Sequence, residues 1–237
     1  MSPSRSRLED RFYLAVGIYV FALGFLGFAR NFYLLPFGSE MLPNSNPIYP
    51  GSIVHGLICT AWMALAVLQP WLVLKGRYAA HRKTGRWGVG VAALLVITGV
   101  YVGIMQAVRF AEEGGRSPGF IAVPIIICAL FALAVALAIH FRRTPRLHKS
   151  WMVIAHCMIL EPAAARALLT LDLPVFPFII VLIALPVIAG AAFDAIQRRR
   201  VPWLYLFGIA YVIGSGFVRN SLARDPGFGA FVERLLS

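Results

Sequence analysis

Seven apolar runs, each near the roughly 20 residues needed to cross a ~30 Å hydrocarbon core, constrain this chain more than any other feature. They span Phe12–Ala29, Gly51–Leu74, Trp87–Val108, Phe120–His140, Ser150–Leu171, Val175–Ile196 and Val201–Val218. A backbone inside lipid must satisfy its own N–H and C=O groups, and a helix does so within a single segment. The expected fold is therefore all-α: a polytopic seven-transmembrane-helix bundle forming a single integral membrane domain over residues 1–237. Composition agrees, with 59% hydrophobic and 14% charged residues and a mean hydropathy of +0.77, far from soluble norms. The first run is longer than a secretory signal core and no small-residue cleavage site follows it, so it reads as a retained helix.

The net charge of +12 raises the question of a nucleic-acid partner, and the placement of the charges answers it. Arg5, Arg7 and Arg11 precede the first run. Lys75, Arg77, Arg82, Lys83 and Arg86 fall between the second and third, Arg142, Arg143, Arg146 and Lys149 between the fourth and fifth, and Arg198, Arg199 and Arg200 between the sixth and seventh. These are alternate connections and lie on one side. The other side receives Arg30, Arg109, Arg116, Arg219, Arg224 and Arg234. The positive-inside rule then expects a cytoplasmic N-terminus and an outside C-terminus. Trp71, Trp87, Trp151 and Trp203 fall at the cytoplasmic ends, where an aromatic belt is expected. The expected partner is the lipid bilayer, and no nucleic acid is expected.

Small residues allow helices to approach closely in lipid. Gly24 and Gly27 in the first run, Gly99 and Gly103 in the third and Gly214 and Gly216 in the seventh are candidates. Pro162 is expected to interrupt the fifth run, leaving the Met158 carbonyl without its helical partner, and Pro186 to kink the sixth. Cys59, Cys128 and Cys157 all lie within runs and read as packing residues.

Ionisable residues at membrane depth point to function, and histidine also ligates haem iron and transition metals. At a rise of about 1.5 Å per residue, His81, His140 and His148 fall at the cytoplasmic rim and His156 roughly 10 Å in from it. His55 lies roughly 6 Å below the opposite surface, level with Arg166, and Glu161 is near the midplane. His55 and His156 are thus too far apart to share a metal. His81 and His148 share a level on different helices, which makes them the candidate axial pair for one haem b, with His140 or His156 as substitutes. Arg82, Lys83, Arg86 and Arg146 are candidates for its propionates. Glu161 and Arg166 are about 140° apart around one helix and do not simply pair. With His55 they form a second candidate group, a polar pocket in the membrane. Structural readings stand beside these: rim histidines cap helices at headgroup level, and buried charges join neighbouring helices.

Two strings carry a resemblance. The run VHGLICTAWMALAVLQPWL leads to AHRKTGRWGVGVAALLVITGVYVGI, with H-R-x-x-G-R at His81–Arg86, and RLHKSWMVIAHCMILEPAAARALL contains H-x-x-W-M at His148–Met152. Together they resemble a bacterial family of multi-pass membrane proteins with these two signatures and no assigned activity. The resemblance covers the second to fifth runs and implies that His55, His81, Arg86, His148, Trp151, Met152 and Arg166 are signature positions. A more distant similarity, of pattern alone, is to cytochrome b561 and ferric-reductase-like proteins, whose histidines hold haem b on a four-helix core. It implies a membrane electron-transfer protein partnered by a quinone or a redox protein. The alternative is a non-redox binding or transport protein, or an accessory subunit, with a polar intramembrane pocket.

Overall fold

The computed structural model describes residues 3–41, 48–113, 117–199 and 202–236. Arg116, Arg200 and Val201 lie outside the described residues, as does the Arg5 side chain. The described chain is all-α, with α1 (Pro3–Phe28), α2 (Pro50–Leu74), α3 (Tyr78–Glu113), α4 (Ala122–His140), α5 (Pro145–Ile159), α6 (Glu161–Thr170), α7 (Phe178–Arg198), α8 (Trp203–Arg224) and α9 (Pro226–Leu236). Six helices are long and apolar enough to cross a membrane, or seven if the bent pair α5–α6 is one span.

That pair shows the interruption expected at Pro162 in the fifth run. α5 and α6 meet at Leu160 with a bend of 51°. Pro162 is the second residue of α6 and has no N–H to continue the helix of α5. A difference from the sequence reading concerns α3, which begins at Tyr78. Arg82, Lys83 and Arg86 therefore lie on its first turns rather than in a connection. Lysine and arginine are good helix formers, so a helix can run past the apolar boundary on such residues.

The chain divides into two compact units, residues 1–95 with 159–186 and residues 96–158 with 187–237. In the first, α1 packs against both α2 and α6. Gly17 sits on the Ala66 backbone and Gly27 on that of Ala163, so closely that a Cβ at either position would overlap a carbonyl. The order of contacts along α1 and α2, Gly17 with Ala66, Gly24 with Met63 and Tyr33 with Thr60, makes the two helices antiparallel. This brings Arg7 and Arg11 to the same end as Lys75 and Arg77.

Prolines explain part of this packing. Pro186 lies inside an unbroken α7 and, lacking an N–H, cannot bond the carbonyl of Leu182. Tyr19 of α1 donates its hydroxyl to that carbonyl at 2.8 Å. Pro70 inside α2 likewise leaves the carbonyl of Ala66, and it is there that the α1 backbone approaches at Gly17. A carbonyl in lipid needs a partner, and α1 meets two of those that proline releases, with Gly17 on one side of the helix and Tyr19 on the other.

In the second unit α4 and α8 are antiparallel. Tyr211 donates to the Leu130 carbonyl at 2.9 Å, while Gly119 abuts the carbonyls of Leu222 and Ala223. Gly103 packs on the Pro124 ring, Gly190 on that of Tyr205, and Gly208 on Ile154 and Val187. The ends carrying Arg142, Arg143, Arg198 and Trp203 are consequently on one side of this unit. Two residues depart from their sequence reading. Trp151, read as a belt residue, is buried with its ring 5.8 Å from Phe207. Trp87 and Trp203 are 73% and 69% exposed, as a belt requires.

The proline argument gives a double-mutant cycle. Tyr19→Phe is expected to cost about 1 kcal/mol in the native sequence. In Pro186→Ala, where the restored amide reaches Leu182, the same substitution should cost little. Unfolding midpoints of the four proteins in one detergent measure the coupling.

Candidate functional site

The candidate residues divide between the units. His55, His81, Arg82, Arg86, Glu161 and Arg166 belong to the first, and His148 and His156 to the second.

His148 stands in the first turn of α5, half-buried, and its Nδ1 lies 2.8 Å from the Ala138 carbonyl oxygen. A carbonyl only accepts, so Nδ1 carries the proton and donates it. The arrangement has a local cause. α4 ends here, and the Arg142 amide that would continue it bonds the Ile139 carbonyl instead. Last-turn carbonyls need other donors, and histidine can supply one. The neutral ring then presents the lone pair of Nε2. Ligating histidines have this arrangement, with the second ring N–H held by a carbonyl or carboxylate. Capping and ligation are therefore compatible.

His156 is buried, and its Nδ1 donates to the carbonyl of Met152, one turn earlier on the same helix, at 2.6 Å. Nε2 again is the nitrogen with the lone pair.

His81 is tied differently. The Gln69 side-chain amide of α2 lies 2.7 Å from His81 Nδ1 and 2.7 Å from Thr84 Oγ1, bridging α2 and α3. With its nitrogen toward the ring, the amide donates to Nδ1 and to the His81 carbonyl, and its oxygen accepts from Thr84 and the Gly85 amide. That orientation puts the ring proton on Nε2 and makes it a donor. With the amide reversed, Gln69 donates to Thr84, Nδ1–H faces the amide oxygen, and Nε2 is the nitrogen with the lone pair. The Gln69 amide thus sets what His81 can do. Arg82 and Arg86 are exposed on the same turns.

In the other group, His55 Nε2 lies 3.4 Å from Cys59 Sγ, one turn along α2. Beside them Tyr33 bonds Thr60 at 2.8 Å, and the Phe32 ring covers Gly56. Both aromatics come from a π-helical turn, Ala29–Tyr33, that ends α1; such turns are frequent at functional sites. Arg166 donates to the Pro162 carbonyl at 3.1 Å and lies 5.0 Å above the Phe28 ring. Glu161 opens α6, where the helix dipole favours an anion.

Two charged residues carry more than their sequence reading assigned. Arg219, counted with the outer connections, lies within α8, 3% exposed, and donates to Ser215 at 2.9 Å. Its i−4 serine was the available signal. Asp194, near the end of α7, is buried and pairs with Arg198 at 2.9 Å.

Arg166 combines a stacked guanidinium with a carbonyl bond, and lysine reproduces neither geometry. Arg166→Lys is expected to lower stability by about 1 kcal/mol, with Arg166→Ala lower still, as read from thermal unfolding of the purified protein. No protein-family model, curated protein or solved structure matches this chain.

Proposed function

We propose that this chain is a haem b-binding electron-transfer protein of the bacterial inner membrane, with seven spans, a cytoplasmic N-terminus and an outside C-terminus. The α5–α6 pair counts as one span in this topology. In each unit one set of helix ends carries the larger share of the basic residues, with Arg7, Arg11, Lys75 and Arg77 together in the first and Arg142, Arg143 and Arg198 in the second, which supports the orientation. The observation that carries the cofactor assignment is the His148 ring, held by Nδ1–H on the Ala138 carbonyl at 2.8 Å with the Nε2 lone pair left for iron.

In this reading His148 would hold the haem iron, and His81, with the Gln69 amide oxygen turned to accept Nδ1–H, is the candidate for the second ligand. Exposed Arg82 and Arg86 suit the propionates, since guanidinium pairs with carboxylate in fork geometry. His156, about two helical turns further along α5, is the substitute ligand. When bound, the haem supplies one-electron transfer, for which a quinone or a redox protein would be the partner. The protein's own contribution is to hold the ring planes, fix their tautomers and shield the site from water.

A second reading is a non-redox pocket for a small anion or lipid headgroup, formed by His55, Glu161 and Arg166. Its support is the occurrence of a π-helical turn and the start of a broken span in the unit that holds all three.

Haem-replete expression followed by a pyridine haemochrome assay tests the first reading. A Soret band at about one haem per chain is expected, lost in His148→Ala and His81→Ala. Gln69→Glu, which can only accept from Nδ1–H, should retain the haem, whereas Gln69→Leu should weaken its binding. A native protein without a Soret band contradicts the haem assignment.

A further inference from the structure

α9 follows the last apolar helix, and its surroundings divide its surface into three. Asp225 separates it from α8, and its carboxylate accepts from the Phe228 amide at 2.6 Å. Pro226 then occupies the first helical position, which needs no N–H. At about 100° per residue, Gly229 and Val232 share one face, and both are buried. Gly229 is packed so closely on Ser117 that a Cβ would stand 2.9 Å from its hydroxyl. A second face, roughly a third of a turn away, carries Phe228, Phe231 and Leu235. Phe231 is 55% and Leu235 69% exposed. The remaining third carries Ala230, Glu233 and Arg234, all exposed.

A helix in water needs two faces, one toward protein and one toward solvent. Three faces, one of them apolar and uncovered, suit a helix lying along a membrane surface. α9 also follows directly on α8, a candidate membrane span whose last turns leave Phe217 and Val218 exposed. We infer that α9 is an interfacial helix, with Phe228, Phe231 and Leu235 in the acyl–headgroup boundary and Glu233 and Arg234 in water. It would hold the 3-10 turn that leads into α4, residues Pro118–Ile121, at the membrane surface through Gly229 and Ser117. The occupant of this face is lipid, and the assignment is independent of any haem.

Site-directed spin labelling of the full chain in phosphatidylcholine–phosphatidylglycerol liposomes tests this. Phe231→Cys and Leu235→Cys sample the apolar face, Ala230→Cys and Glu233→Cys the opposite one, and the labelled native chain gives the background from Cys59, Cys128 and Cys157. The labels at 231 and 235 should be relaxed several-fold more by oxygen than by a water-soluble nickel chelate, and those at 230 and 233 the reverse. Equal relaxation of all four by the nickel chelate would place α9 in water and overturn the inference. Immobile labels at 231 and 235, shielded from both reagents, would mean that protein covers the face, and would overturn it equally.

Discussion

A carbonyl released from its helical hydrogen bond inside lipid must find another donor, and much of this structure follows from that requirement. Pro70, Pro162 and Pro186 each deprive an apolar stretch of a helical hydrogen bond. The response differs at each. At Pro186 the Tyr19 hydroxyl takes over the Leu182 carbonyl. At Pro70 the neighbouring backbone closes on Ala66, for which only glycine at position 17 has room. At Pro162 the helix stops and restarts at an angle of 51°. α1 owes its place in the first unit to the first two.

The histidines obey the same rule in the opposite direction, as donors. His148 and His156 each place Nδ1–H on a backbone carbonyl, which is the least costly state for an imidazole in a low-dielectric medium. A consequence is that each ring is held in one tautomer with Nε2 as the acceptor. Structural satisfaction and metal ligation ask for the same arrangement, so one need not exclude the other. His81 departs from this, because its partner is an amide that can face either way. The contrast makes Gln69 the residue on which the functional reading of the α2–α3 hairpin depends.

Hydropathy alone indicated that the chain is built of long apolar helices and gave their approximate bounds, because burial in lipid is averaged over some twenty residues and tolerates local error. The residues that shape the sites were less accessible. Trp151 and Trp87 occupy equivalent positions relative to their apolar runs, and only the packing of Phe207 distinguishes the buried ring from the exposed one. Arg219 resembled an interfacial charge because the apolar run ended one residue earlier, whereas α8 continues to Arg224. α9 went unread despite an Asp-Pro start signal, its 11 residues being too few for a membrane span. The role of Gln69 depends on a contact 15 residues away along the chain, which no local pattern encodes.

Nitrogen-15 NMR of the histidine-labelled protein in lipid most directly tests the claim that a carbonyl holds the ligand-type ring. His148, assigned by its loss in His148→Gln, should show a protonated, pyrrole-type Nδ1 and an Nε2 that is unprotonated or shifted by a metal. A pyridine-type Nδ1 beside a protonated Nε2 would contradict the account, since such a ring neither caps Ala138 nor presents a lone pair to iron.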